Sequence, residues 1–385
     1  MRPIQLRYLR WRNTPRWAIH DQRRCYSSPS HDPLRILFCG ADEFSIYSLR
    51  ALHDLHLRQP SKVASIDVVC KTDKRVGRGL KKTQEVPIKG VAGQLGLRTH
   101  QINTFTRWSP PTPDDESINL IIAVSFGLLV PPRILSAAKY GGLNVHPSML
   151  PDLRGPAPLH HALLNRDTRT GVTLQTLHPQ HFDQGRIVAQ TPLPGVPIPD
   201  AANATHESLL QFLGPLGAQL LCESIESGAF LRPESELRSA HEATEATELR
   251  HAPKIGPEYR HINWSSWPAS EILLRDRVLG KLWDATTSSA LGLSPVHSKP
   301  LRLSYAQWED VTLSHIVASA YTSRGVAPVL ASHRETGQQR LCFSTVDDRL
   351  VSPQKVTVEG RPQKRSTDKV FLDALLAAET GSDAR

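Results

Sequence analysis

The stretch Gly141–Pro158, GGLNVHPSMLPDLRGPAP, follows the apolar run INLIIAVSFGLLV and decides the predicted fold. Asn144 and His146 are two positions apart, so on an extended strand both side chains lie on one face. A Pro-rich loop begins directly after them. Parallel α/β sheets build their sites where such strands end. The stretch therefore predicts a buried strand that ends in a functional site.

Short apolar runs and segments with helical spacing alternate on both sides of this stretch. This alternation predicts a Rossmann-like α/β domain over 34–230. The turn after the first strand is GADEF, which lacks the glycine pattern of a dinucleotide site. The predicted strands are 34–40, 66–72, 119–125, 142–146, 171–177 and 186–195, and the predicted helices are 45–57, 86–97, 131–141, 158–167 and 205–228.

The residue composition of the chain changes beyond residue 230. The segment 231–256 is polar and rich in Glu, Ala and Thr, which predicts a linker. Short β-like runs such as PLRLSYAQW, RLCFST and KVTVEG then follow at close spacing. We therefore expect a second domain, 257–385, that contains a small OB-like β-barrel.

The N-terminal segment 1–33 differs from the rest in charge. It contains seven Arg, no Lys and two Asp, together with several Ser and spaced aromatic residues. This composition is typical of a mitochondrial transit peptide, with cleavage near Cys25–Ser27. Its removal leaves 39 basic and 35 acidic residues in a chain whose full net charge is +9. The remaining mild basicity permits a nucleic-acid partner without requiring one.

Overall composition is that of a globular protein, with 39% hydrophobic and 22% charged residues. No apolar run reaches the length of a membrane-spanning helix, so we expect no membrane partner. The five cysteines are scattered and form no CxxC pair, which argues against a zinc ribbon or a disulfide scaffold. We expect no metal site and a monomeric protein.

Asn144 and His146 suggest chemistry at a carbonyl group. An amide can donate a hydrogen bond to a developing oxyanion, and an imidazole can move a proton near neutral pH. No GxSxG elbow accompanies them, so a covalent acyl-enzyme is not indicated. The remaining reactions are direct acyl transfer between two bound substrates, or hydrolysis. Asp183, in HFDQGRIV between two predicted strands, is the best candidate to orient the imidazole.

The segment GLNVHPSMLPDLRGPAPLHHALLNRDTRTGVTL resembles the signature of the folate-dependent formyltransferases. The order of strand, basic GRG loop, NxHxSLLP-like loop and DxG is similar to that of the methionyl-tRNA formyltransferases. The later segment APKIGPEYRHINW also resembles the hinge motif of that family. The resemblance is close over roughly 34–270 and loose beyond. It implies formyl transfer from 10-formyltetrahydrofolate to methionyl-initiator tRNA in the mitochondrial matrix.

The resemblance also implies roles for individual residues. By position, Asn144, His146 and Asp183 match the catalytic residues, and Arg154 and Gly155 match the loop that shapes the cleft entrance. The implied folate-binding residues are Ser148, Met149, Leu150 and Pro151. The implied tRNA-binding residues are Arg78, Lys81, Lys82 and Lys254.

The chain departs from the family pattern around Asp183. The segment LHPQHFDQGRI is one residue longer than the usual loop, and Arg186 replaces an Asp. We therefore expect this loop to move differently from that of its relatives.

Two other functions are consistent with the same residues. One is another folate-dependent formyltransferase or a formyltetrahydrofolate hydrolase, acting on a small amine or on water. The other is a non-enzymatic RNA-binding protein on a transferase scaffold, against which the intact Asn–His–Asp set argues. The basic loop 74–82, the hinge motif and the predicted barrel favour tRNA as the substrate.

Overall fold

A computed structural model of the chain describes residues 31–239, 249–290, 301–311, 316–318, 328–333 and 339–359. These residues form two regions, each built on a β-sheet with its own apolar core. The predicted transit peptide, 1–33, lies outside the described residues except for its last three. Within the described residues, no helix is long and apolar enough to cross a membrane.

The first region is an α/β sandwich, as predicted. Its strands in chain order are β1 (Leu34–Gly40), β2 (Val63–Cys70), β3 (Lys74–Val76), β4 (Lys82–Gln84), β5 (Arg98–Gln101), β6 (Leu120–Val124), β7 (Gly142–His146), β8 (Arg169–Thr170), β9 (Thr173–Thr176), β10 (Arg186–Gln190), β11 (Val196–Pro197) and β12 (Arg238–Ser239). Its helices are α1 (Glu43–Arg58), α2 (Pro87–Gln94), α3 (Pro132–Leu135), α4 (Pro158–Leu164) and α5 (His206–Glu226).

Eight of these strands form one mixed sheet in the order β12-β10-β9-β7-β6-β1-β2-β5. Within the sheet, the neighbouring strands β7, β6, β1, β2 and β5 are parallel to one another. Strands β9, β10 and β12 pair antiparallel with β7, β9 and β10, respectively. The carboxyl ends of β1, β2, β6 and β7 therefore meet at one edge, which confirms the predicted Rossmann-like arrangement.

The packing of β7 fixes the direction of its polar side chains. Val145 is buried under α5, where a methyl group at Gly217 would lie 2.9 Å from its Cγ1 atom. The absence of a side chain at Gly217 thus allows the helix to approach the strand. Because side chains alternate along a strand, Asn144 and His146 point to the opposite face.

Three predicted elements differ from the observed ones. The helix predicted over 131–141 is only the short α3, since the Tyr140 amide donates to Asn119 O and draws the chain into β7. The strand predicted over 186–195 ends at Gln190, before two prolines that cannot donate to a sheet. The loop predicted over 73–83 contains a small hairpin, β3–β4.

The segment predicted as a linker, 231–256, packs onto the first region at both of its described ends. Strand β12 pairs with β10 and extends the sheet by one strand. At the other end, Ala252 is fully buried against the loop that follows β7. Residues 240–248 lie outside the described residues.

The second region contains α6 (Ala269–Leu279), β13 (Leu282–Asp284), α7 (Thr286–Ala290), β14 (Leu303–Val311), β15 (Ile316–Ala318), β16 (Val329–His333), β17 (Gln339–Ser344) and β18 (Leu350–Val358). Its strands form an antiparallel sheet in the order β13-β14-β18-β17-β16-β15. The described pairings run from β13 at one edge to β15 at the other. They give a small antiparallel sheet and leave the predicted barrel unconfirmed.

A buried carboxylate organises the core of this second sheet. Asp284 is fully buried and accepts hydrogen bonds from Trp264 Nε1 (3.0 Å), Tyr305 Oη (3.1 Å) and the Thr287 amide (2.9 Å). Burial and the neighbouring Asp284 raise the pKa of Tyr305 well above its usual value, so this phenol remains a donor. The hinge tryptophan, Trp264, is thereby fixed to the sheet.

We predict that Asp284→Ala lowers the free energy of unfolding by several kcal/mol. Each buried donor that loses its acceptor costs about 1–3 kcal/mol. Urea denaturation measures the change, and Asp54→Ala, which removes an exposed carboxylate from α1, is the control. Equal stability of the two variants would contradict the role given to Asp284.

Candidate active site

Asn144 and His146 lie at the carboxyl end of β7, on the face opposite α5. His146 is 5% exposed, and Asn144 is half-buried. Across the neighbouring antiparallel strand, Asn144 is in register with Gln175 and His146 with Thr173. Four polar residues therefore form one patch across β7 and β9.

Asp183 joins this patch from the loop between β9 and β10. Its Oδ1 atom accepts hydrogen bonds from Asn144 Nδ2 (3.2 Å) and Gln175 Nε2 (3.2 Å), and it lies 3.4 Å from His146 Nδ1. Its Oδ2 atom accepts from the Gly155 amide at 3.0 Å. The structure thus brings together the three residues that the sequence analysis selected.

The imidazole of His146 is held from both sides. Its Nε2 atom lies 3.0 Å from the carbonyl oxygen of Leu153, which can only accept a hydrogen bond. Its Nδ1 atom faces the Asp183 carboxylate. A proton on either ring nitrogen therefore has an acceptor, which suits a residue that gains and releases protons.

Gln175 is a member of the site that the sequence analysis missed. Its side chain is 1% exposed, donates to Asp183 and accepts from the Gly185 amide at 3.2 Å. It therefore holds the loop at Asp183 and at Gly185, two residues later. The backbone of Asp183 itself has a φ of +55°. The available signal was a long amide in the predicted strand 171–177, directly after the segment that resembles the formyltransferase signature.

The predicted folate loop, Ser148–Pro151, follows β7 and is folded inward. Ser148 and Leu150 are each 1% exposed, and the Ser148 hydroxyl donates to Asp152 O at 2.7 Å. Met149 Sδ accepts from the Thr191 hydroxyl at 2.9 Å. Met149 and Pro151 are partly exposed. The side chains of Ser148 and Leu150 thus shape the loop from within.

The Arg154–Gly155 pair lies between the site and the segment that leads to the second region. Arg154 is 8% exposed. Gly155 has a φ of +124°, and a methyl group there would lie 2.5 Å from the carbonyl oxygen of Ala252. The tight contact and the backbone angle both favour glycine at this position.

The predicted tRNA-binding cations lie on the surface. Lys81 and Lys82 are exposed in the hairpin that follows β2, and Lys254 is exposed beyond Ala252. Arg78 lies in a 3₁₀ turn of the same hairpin, and its side chain is outside the described part of the structure. No described contact joins these cations to the Asn144–His146–Asp183 group.

The topology nevertheless places the hairpin at the edge of the sheet that carries the site. It follows β2, whose carboxyl end lies at the same edge as that of β7. Lys71, at its base, donates to the Gly127 carbonyl after β6 at 3.1 Å. Asp73 accepts from Lys89 at 2.6 Å, and the pKa of this carboxyl is lowered by that hydrogen bond. The base of the hairpin is therefore anchored beside the central strands.

Comparison with known proteins identifies the family. The model of the family described as formyl transferase matches residues 34–220. The mitochondrial methionyl-tRNA formyltransferase of Saccharomyces cerevisiae is 34% identical over 287 residues, which are 66% of this chain and 70% of that protein. The human enzyme of the same name is 31% identical, over 76% of this chain and 70% of its own length. The Bos taurus enzyme of the same name is 30% identical, over 75% of this chain and 68% of its own length. The chain therefore belongs to the methionyl-tRNA formyltransferase family.

Proposed function

We propose that this protein transfers the formyl group of 10-formyltetrahydrofolate to the amino group of methionyl-initiator tRNA. The observation that carries the proposal is the contact of Asn144, His146 and Asp183 at one strand end, in a chain of this family. An amide donor can stabilise the oxyanion of acyl transfer to an amine, and an imidazole paired with a carboxylate can move the proton.

The formyl donor supplies an electrophilic carbon when it is bound, and the residues at the site fit such a group. Asn144 Nδ2 carries two hydrogens, one of which is directed to Asp183. The described residues offer the other hydrogen no acceptor. In the proposal it donates to the formyl oxygen as negative charge develops there, which is worth about 10²–10³ in rate.

His146 and Asp183 handle the proton that the attacking amine loses. The amino nitrogen forms a bond to the formyl carbon, and the bond from that carbon to the folate nitrogen breaks. The amine releases one proton, and the departing nitrogen gains one. His146 accepts and returns the proton, and the Asp183 carboxylate stabilises the protonated ring at 3.4 Å from Nδ1.

Binding of the folate is assigned to Ser148, Met149, Leu150 and Pro151. Because Ser148 and Leu150 are buried, we assign their side chains to holding the shape of the loop. The partly exposed Met149 and Pro151, together with the backbone, form its accessible surface.

Binding of tRNA is assigned to Arg78, Lys81, Lys82 and Lys254, with the second domain as an additional surface. We retain the division into a catalytic domain (34–230), a connecting segment (231–256) and a C-terminal OB-like domain (257–385). We propose that the protein acts as a monomer.

We further propose that the protein works in the mitochondrial matrix after removal of a transit peptide within 1–33. The sequence places cleavage near Cys25–Ser27, upstream of the described residues. His31 packs edge-on against Phe230, and the Asp32 amide donates to Tyr140 Oη at 2.9 Å. A cleavage site before His31 keeps these contacts in the mature protein.

We predict that the protein formylates methionine on charged initiator tRNA and leaves free methionine unmodified.

His146→Ala and Asn144→Ala should each lower turnover by about 10²–10⁴, because each removes a group that acts on the transition state. Transfer of labelled formyl is measured at saturating substrates, with melting temperatures as the check on folding.

Formyl release to water at the rate of transfer would favour the hydrolase. Formylation of the free amine would favour a small-molecule transferase. A parental rate in a normally folded His146→Ala variant would remove His146 from the mechanism.

We predict that replacing Lys81 and Lys82 together by Ala weakens tRNA binding most at low salt. Loss of two phosphate contacts should reduce the slope of log affinity against log salt by roughly 1.5. Affinity for folate should not change. Filter binding at several salt concentrations measures the slope, and Arg50→Ala, an exposed cation on α1, is the control. If the double variant and the control have equal slopes, the hairpin does not contact tRNA.

A further inference from the structure

The segment that leads to the second domain runs beside the loop 152–157, and an isolated parallel β-bridge pairs His251 with Arg154. The Leu153 amide donates to Arg250 O at 2.8 Å, and the Ala252 amide donates to Arg154 O at 2.7 Å. The Ala157 amide in turn donates to Ala252 O at 3.2 Å. Residues 250–252, which we call the hinge strand, are thus bonded to the loop by three backbone hydrogen bonds.

The same loop residues hold the catalytic side chains. Leu153, whose amide binds the hinge strand, accepts a hydrogen bond from His146 through its carbonyl oxygen. Gly155, which packs against Ala252, donates its amide to Asp183. A shift of the hinge strand would therefore move an acceptor of His146 and a donor of Asp183 at the same time.

Arg250 fastens the hinge strand with its side chain. Its guanidinium donates to Asp152 at 2.5 and 3.2 Å, and to Asp167 at 2.8 and 3.1 Å. Its backbone amide also donates to Asp152 Oδ1 at 3.2 Å. These bonds raise the pKa of Arg250 above its usual range, so the side chain stays charged. Bidentate guanidinium–carboxylate pairs have a fixed geometry, which suits a positional role.

We propose that Arg250 is a positioning residue for formyl transfer and that the hinge strand is a structural part of the active site. Arg250 contacts neither substrate. It holds the loop 152–155 so that Leu153 O and Gly155 N keep His146 and Asp183 in place. The inference rests on the proposed function, since it names a further residue of that same site.

The test compares Arg250→Ala with Arg166→Ala. Arg166 forms one ion pair, with Glu271 at 2.9 Å, whereas Arg250 pairs bidentately with two carboxylates; the two side chains are 55% and 42% exposed. A single exposed ion pair contributes little, so Arg166→Ala should retain the parental kcat. Arg250→Ala should lose about 100-fold in kcat, as expected for slight misplacement of catalytic groups. KM for tRNA should stay within about twofold, because Arg250 is not a tRNA ligand in the proposal.

A double-mutant cycle with Asp183→Asn separates positioning from general damage. Because Arg250 acts through Asp183 as well as His146, Arg250→Ala should lower kcat by a smaller factor in the Asp183→Asn background than in the parent. Arg250→Lys keeps the positive charge but loses the bidentate hydrogen bonds of the guanidinium. Its kcat should therefore lie between those of Arg250→Ala and the parent. A parental kcat in Arg250→Ala would overturn the proposal, and so would an equal loss in both backgrounds. Absence of formyl transfer in the unmodified protein would instead overturn the proposed function.

Discussion

The site depends on the carboxylate of Asp183, whose two oxygen atoms bind groups from three other chain segments. Asn144 and His146 come from β7, Gln175 from β9 and Gly155 from the loop that follows β7. A carboxylate at this position needs donors because it is largely withdrawn from water. Each donor that satisfies it also orients a group of the site. The need of one buried carboxylate for hydrogen-bond donors thus determines how Asn144, His146 and Asp183 are arranged.

Backbone groups contact the catalytic side chains from behind, and the Arg250 side chain holds the loop that carries them. The loop 152–155 presents one carbonyl to His146 and one amide to Asp183, and the hinge strand holds it from outside. The segment that leads to the second region is therefore continuous with the wall of the site. The contact of Gly155 with Ala252 leaves no space for a side chain between the loop and the hinge strand.

The sequence predicted those parts of the structure that follow from periodicity. The alternation in β7 places Asn144 and His146 on one face, and this placement is correct. Long-range contacts were not predictable in the same way. Gln175 has a role only because β9 pairs antiparallel with β7, and its local sequence does not encode that pairing. Similarly, 231–256 is polar enough to suggest a linker, yet Leu237 and Ala252 are buried by contacts with distant segments.

The most direct test of the Asp183 carboxylate is the single-turnover rate of formyl transfer by Asp183→Asn. The amide keeps the shape of the side chain but replaces one acceptor oxygen by an NH2 donor. In one orientation this donor would face the Gly155 amide, and in the other it would face Asn144, Gln175 and His146. The account predicts a rate lower by at least about 100-fold, with unchanged affinity for tRNA. A variant that folds normally and transfers formyl at the parental rate would contradict it.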